Sequence, residues 1–306
     1  MLLGSPEKTN TECHDIIANM NTKSSNSLNE AEKDYLFDLN GYLIIDDALS
    51  SQQLEAVDHW LEQQPQDVAN GDWVGNVQIH GYGGNDGRNY QNIIEGGEVF
   101  EELMDSPKWF PLVRRYIESD YNQVSMVENF LNVRGPGGFL ELHSGGHTRA
   151  PIMTFRHKTG NWNVGQINIL MALTDIGPDD GATILVPGSH KSNELHPFFS
   201  DSESSTYDTK KRPPDQALGA EVMTLKRGQA LMFTDSVTHG GSERKAAGNR
   251  KVMIYRYSPH HIIPRFNYVP SKDFVERLTP QRRALVESVP AARYSPNGKY
   301  SSASLP

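Results

Sequence analysis

Between residues 121 and 259 the chain divides repeatedly into short runs of β-branched and aromatic residues separated by Gly/Pro turns. The runs are "QVSMVENFLNVR", "GQINILMALTDI", "ATILVPGSH", "GQALMFTDSVTHGG" and "RKVMIYRYSP". Such composition favours strands, and the turn residues at their ends reverse the chain. Many short strands in close succession must cover one another to bury their apolar faces, as in a sandwich or a jelly roll. The class expected is mainly β with flanking helices.

The flanks supply those helices. "LNEAEKDYLFDL" at 28–39 places Leu28, Ala31, Tyr35, Leu36 and Leu39 at helical spacing, and Asn40-Gly41 ends the run. "GYLIIDDAL" reads as a strand, and "SSQQLEAVDHWLEQQ" as a serine-capped helix whose apolar face is Leu54, Val57, Trp60 and Leu61. "GEVFEELMDSPKWFPLVRRYIES" reads as a helix pair broken at Ser106-Pro107, and "SKDFVERLTPQRRALVESV" as a return to helix. Residues 70–97 are rich in Gly and Asn, as strands joined by turns or as a lid, and residues 193–218 form a polar insertion that reads as a flap. Residues 1–27 and 296–306 read as tails, which leaves 28–295 as one jelly-roll domain with an N-terminal helical layer.

Composition excludes several classes. The hydrophobic fraction of 37% is enough for a packed core, yet no stretch reaches 18 apolar residues, so no membrane span is expected. The net charge of -9 argues against a general nucleic-acid binder. Cys13 is the only cysteine, and "MLLGSPEKTN" lacks the features of a secretory leader; a cytoplasmic protein fits both.

Within the β-rich half, four features sit at strand ends. His143 follows "GGFLEL", His239 ends "ALMFTDSVTH", Arg250 lies eleven residues further on, and "VPGSH" closes the run at 186–190. Neutral imidazoles from separate strands can bind a divalent first-row metal; two histidines and a carboxylate, with three positions open, suit Fe(II) oxygenases. An arginine one hairpin away can grip a carboxylate through a bidentate pair.

These residues resemble the phytanoyl-CoA dioxygenase family of Fe(II)/2-oxoglutarate oxygenases, over about residues 30–260. The resemblance is carried by "LNGYLIIDDALS", by the segment at His143, by "ALTDIGPDDGATILVPGSHKS" and by "THGGSERKAAGNRK". It implies a double-stranded β-helix (jelly roll, cupin-like), one Fe(II) and 2-oxoglutarate as co-substrate. It further implies that His143 and His239 are iron ligands, that Arg250 takes the distal carboxylate of 2-oxoglutarate, and that the Ser242 hydroxyl assists Arg250.

The departure from the family pattern is in "ELHSGGHTR": where the family places Asp or Glu two residues after the first histidine, this chain has Gly145. Three readings stand. The coordination position is vacant and admits chloride, as in the iron-dependent aliphatic halogenases that this His-x-Gly pattern resembles. Or another residue completes the shell, His147 as a third histidine or Glu141 as a carboxylate, and the enzyme is a hydroxylase or other oxygenase. Or the metal site has decayed and the protein is a ligand-binding module. A three-histidine dioxygenase independent of 2-oxoglutarate is a further alternative. Oxidation of an unactivated C–H bond in a small organic molecule is the leading expectation.

Other residues have a functional and a plain reading. Gln166 and Asn168 alternate along "GQINILMAL" and share a face; they contact 2-oxoglutarate or substrate if that face lines the barrel, and solvent if it does not. Trp162, with Arg149, Arg156, His157 and Lys158, either recognises an anionic substrate or lies in a solvated loop. His190 reads as structural, and Asp175 and Asp180 as turn caps.

Overall fold

A computed structural model describes residues 25–81, 87–119, 122–158, 160–199, 213–262 and 269–287. The expected tails, apart from a short turn at Ser25–Ser27, lie outside these residues, as do the centres of the 70–97 and 193–218 segments. In chain order the elements are α1 (Glu30–Asn40), β1 (Tyr42–Ile45), α2 (Ser51–Glu62), β2 (Trp73–Val74), β3 (Val77–His80), β4 (Arg88–Gln91), α3 (Glu98–Glu102) and α4 (Phe110–Ile117). Then follow β5 (Val124–Arg134), β6 (Leu140–His143), β7 (Phe155–Lys158), β8 (Asn161–Val164), β9 (Ile167–Ala172) and β10 (Thr183–Val186). The last are β11 (Glu221–Met223), β12 (Ala230–Thr234), β13 (Thr238–Gly241), β14 (Arg250–Pro259), α5 (Lys272–Arg277) and α6 (Pro280–Val286).

Local chemistry sets the element ends. The side chains of Asn29 and Ser50 each accept from the backbone N–H three residues on, and Glu32 and Gln53 reach back in reciprocal capping boxes. Gly41 ends α1 in the left-handed region at φ 81°. The run "GQALMFTDSVTHGG" is two strands, not one: Val237 N–H donates to Thr234 O at 3.1 Å and turns the chain there. β12 therefore joins one sheet and β13 the other.

The sheets are antiparallel, ordered β1-β12-β9-β14-β5-β4-β3-β2 and β11-β10-β13-β6, with β7-β8 as a separate hairpin. Strand periodicity divides the large sheet into two faces. Ile169, Met171, Met253, Tyr255 and Tyr257 pack outward with Phe37, Trp109 and Tyr116 of the helical layer. Leu170, Ala172, Val252, Leu231 and Phe233 face inward with Leu185 of the small sheet. Tyr255 and Tyr257 donate their hydroxyls to Phe100 O (2.8 Å) and Met104 O (2.9 Å), so each buried ring also satisfies a carbonyl of the helical layer. Burying each such ring stabilises the fold by roughly 1.5–3 kcal/mol. On β14, Arg250 and Arg256 share the parity of Val252 and Ile254, which directs both guanidinium groups between the sheets.

Two expectations about side chains are settled by packing. Trp162 is neither in a solvated loop nor set out to recognise substrate. It is buried, 4.5 Å from the Tyr116 ring and stacked on His157 at 3.9 Å, and it fastens the β7-β8 hairpin to the helical layer. His190 is structural, as expected: its Nε2 donates to Asp38 O at 3.0 Å and its ring meets Phe155 edge-on. No helix among the described residues is long and apolar enough to cross a membrane.

Burial, opposed by the Asp38 carbonyl, pushes His190 down from 6.5 to about 4. The folded state then binds fewer protons than the unfolded state between those pH values, so stability is lost as pH falls through the window. Denaturant midpoints followed from pH 6.5 to 4 should fall by the equivalent of roughly 3 kcal/mol from this residue. A His190→Gln variant should have a correspondingly flatter profile.

Candidate active site

β13 pairs with β6 so that His239 stands directly opposite His143. Opposed residues share a face, and His239 also lies opposite Leu185, which packs inward. The two rings meet with centroids 4.1 Å apart. Each Nδ1–H donates to the carbonyl two residues upstream, His143 to Glu141 O at 2.8 Å and His239 to Val237 O at 2.7 Å. That pattern fixes the tautomer and leaves each Nε2 lone pair as the outward-facing donor. His239 is 5% exposed and edge-on to Phe233, whereas His143 is exposed. Burial, then the neighbouring His143, hold His239 down at about 3 against the pull of Asp235, so the imidazole is neutral, the form a metal requires.

The turn after β10 clamps both histidine strands. Ser189 O accepts from Gly146 N–H at 2.9 Å, just past β6, and Ser189 Oγ accepts from Thr238 N–H at 2.7 Å, next to His239. A side chain at Gly146 would start 2.4 Å from His190 O, so this approach needs glycine. The "VPGSH" block thus acts through backbone geometry.

On the inner face of the large sheet, polarity changes along β14. Arg250 lies opposite Arg134, Val252 opposite Asn132 and Ala172, Ile254 opposite Phe130 and Leu170, and Arg256 opposite Glu128 and Asn168. Arg250 donates to Asn132 Oδ1 at 3.2 Å and to Gly181 O, while its buried Nε has no hydrogen-bond partner among the described residues. Burial, with Arg134 and Arg244 beside it, pushes Arg250 down to about 9 against the pull of Asp180. Two buried guanidinium groups, Arg134 and Arg244, and the part-buried Arg250, with one half-buried carboxylate, make a place for an anion. Ser242 does not assist Arg250 as expected: its hydroxyl donates to Ala182 O at 3.3 Å, and its carbonyl accepts from Arg134. The cause is β13's continuation, which turns Ser242 toward β10 rather than β14.

The sequence profile of phytanoyl-CoA dioxygenase (PhyH) matches residues 37–252, from α1 into β14, and so takes in both histidines, the Ser189 turn and Arg250. This chain belongs to the phytanoyl-CoA dioxygenase family. Among curated proteins it is similar to dioxygenase cdmD of Talaromyces verruculosus, 33% identical over 39% of this chain and 35% of that one. It is also similar to dioxygenase trt7 of Aspergillus terreus (strain NIH 2624 / FGSC A1156), 30% identical over 64% of this chain and 63% of that one. The match thus spans about a third of cdmD and under two thirds of trt7. Among solved structures, HygX from Streptomyces hygroscopicus with nickel and 2-oxoglutarate bound superposes with a TM-score of 0.62 at 20% identity, over 81% of this chain and 94% of that one. That likeness gives the jelly-roll fold expected from the sequence.

The fold leaves no room for a side chain at residue 145. Gly145 has φ +131°, and a Cβ there would sit 2.6 Å from His147 Nδ1 and 2.9 Å from Thr238 Oγ1. The His147 ring therefore occupies the space a side chain at 145 would take; it also faces Phe199 at 6.2 Å, and burial lowers its pKa. Glu141 is placed at the pair through its carbonyl, which holds His143. Among the described residues no group of three His, Cys, Asp or Glu side chains is arranged to hold a metal.

The acid that faces the histidine pair is one that sequence reasoning missed. Asp235 Oδ1 lies 4.0 Å from His239 Nε2 and is 6% exposed with its residue. Asn168 donates to Oδ1 at 3.0 Å, and Gln166 donates to Asn168 Oδ1 at 3.1 Å. Gln166 and Asn168 thus face inward and are buried, but they address Asp235. Burial alone would raise the Asp235 carboxyl; His239, Arg256, the Asn168 amide and His143 together hold it below the usual range. The available signal was the spacing in "TDSVTH", four residues before His239 across a turn.

Replacing Gly145 by Asp or Ala should destabilise the protein by about 1–3 kcal/mol, because the backbone there is unfavourable for L side chains. Adding His147→Ala should return part of that loss by removing the clash. A double-mutant cycle on urea midpoints checks both; additive effects would show that the ring and residue 145 do not compete for one space.

Proposed function

We propose that this protein is a dioxygenase that uses Fe(II) and 2-oxoglutarate to oxidise an unactivated C–H bond of a small organic molecule, by hydroxylation or a related oxidation, in the cytoplasm. One observation carries the reading. Two imidazoles meet with ring centroids 4.1 Å apart and both Nδ1 atoms engaged by carbonyls. The donor set fits a divalent first-row metal. The buried Arg250 Nε without a partner fits the distal carboxylate of a keto acid. When bound, Fe(II) and 2-oxoglutarate would let O2 convert C–H to C–OH as the keto acid becomes succinate and CO2.

The residues of the chain do the rest. Val237 O and Glu141 O hold the Nδ1 protons and aim the rings. Arg250 fixes one end of the keto acid, and the inner residues Val252 and Ile254 line its length. The exposed side of His143 gives the substrate its approach. A small-molecule substrate is supported by HygX, a structure of which holds nickel, 2-oxoglutarate and hygromycin B.

A second reading, halogenation, rests on Gly145, which carries no side chain to bind the metal and would leave a position for chloride. Turnover with chloride or bromide, with the product weighed by mass spectrometry, distinguishes the two.

Purified protein with Fe(II) should form succinate only when 2-oxoglutarate is present. No succinate would favour an inactive binding module, and oxygen-dependent turnover without 2-oxoglutarate a three-histidine dioxygenase. His239→Ala should abolish iron binding. Arg250→Lys should raise KM for 2-oxoglutarate by about tenfold or more, the scale of a charge-assisted pair worth roughly 1.5–3 kcal/mol.

A further inference from the structure

We propose that Asp235 provides the negative charge that Gly145 cannot, so that the metal and keto acid are balanced at this site without a halide; the inference rests on the iron and 2-oxoglutarate reading above. Its carboxylate is buried, and Oδ1 stands 4.0 Å from His239 Nε2, the ring nitrogen left open by the Val237 carbonyl. Its orientation is fixed from behind. Asn168, fully buried, donates to Oδ1 and is itself held by Gln166.

No lysine or arginine among the described residues forms an ion pair with Asp235. Arg256, whose strand neighbour is Asn168, pairs instead with Glu128 at 2.6 Å. A buried carboxylate that no lysine or arginine contacts directly, facing Nε2 of the neutral His239 imidazole, is a place for a cation. The charges then close. Fe(II) brings two positive charges, the keto-acid carboxylate at the metal cancels one, and Asp235 cancels the other. In a site lacking any such acid, chloride would make up the balance. Here chloride would leave an excess negative charge in a buried place, and it would face a carboxylate. The position left by Gly145 therefore suits a neutral oxygen donor, and Asp235 selects oxygenation over halogenation.

The test uses the full chain under anaerobic conditions, with Fe(II) and 2-oxoglutarate, following the visible charge-transfer band of the chelate while sodium chloride is added. Wild type and Asp235→Glu, which keep the charge, should show no chloride-dependent change. Asp235→Asn should gain a saturable response with apparent chloride affinity at least tenfold tighter, and should bind Fe(II) about 10–100-fold more weakly. A wild type that responds to chloride as Asp235→Asn does overturns the proposal, as does an Asp235→Asn protein with wild-type iron affinity and no chloride response. Where Asp235→Asn does not fold, a saturable wild-type response to chloride overturns the proposal by itself. A wild type that binds iron and 2-oxoglutarate with no band at all removes the underlying reading along with this one, and is told apart from the other outcomes by that absence.

Discussion

The pairing of β13 with β6 is the contact on which everything else depends. It sets His239 opposite His143, and the period of a strand turns both toward the interior. Had the register slipped by one residue, Gly240 would stand opposite His143 and the imidazoles would face opposite sides of the small sheet. Several independent contacts hold that register. Ser189 bonds to the chain on both sides of the pair. Gly240 allows a close approach, since a side chain there would begin 2.7 Å from Leu140 O.

Between the sheets, polarity is arranged in sequence along one strand. At the start of β14, Arg250 joins Arg134 and Asn132; the middle is Val252 and Ile254 against Ala172, Leu170 and Phe130; the far end is Arg256 with Glu128 and Asn168. A dicarboxylic co-substrate suits this order, because one end needs a cation and the methylenes need apolar walls. The far end carries opposite charges that neutralise each other, with Gln91 donating to Glu128. The guanidinium groups at the near end are not so matched; burial first, and then Arg134 and Arg244, cost Arg250 part of its usual affinity for a proton.

Much of this was legible in the residues. Alternation and turn chemistry revealed the β-rich core, and the caps at Asn29 and Ser50 revealed the helices. The family blocks pointed to His143, His239 and Arg250, and the structure brings the two histidines together and directs Arg250 inward. What escaped notice has physical causes. "TDSV" contains neither Gly nor Pro, only the weaker turn formers Asp and Ser, so the turn between β12 and β13 was passed over and the acid within it went unremarked. Asp235 becomes visible only once the turn folds its carboxylate back on His239. Trp162 sits among basic residues in sequence, but strand alternation buries it while Arg156 and Lys158 stay exposed. The role of Ser242 was implied by the family resemblance, which does not specify the direction of a side chain.

The account stands on one atom lying between two imidazoles. Anaerobic crystals grown with Mn(II), as a redox-inert stand-in for Fe(II), and 2-oxoglutarate would locate it by anomalous scattering. The expected map has a single metal peak bonded to Nε2 of His143 and Nε2 of His239, with the far carboxylate of the keto acid against Arg250. A metal peak away from that pair, or a keto acid whose far carboxylate lies elsewhere than Arg250, would contradict the account.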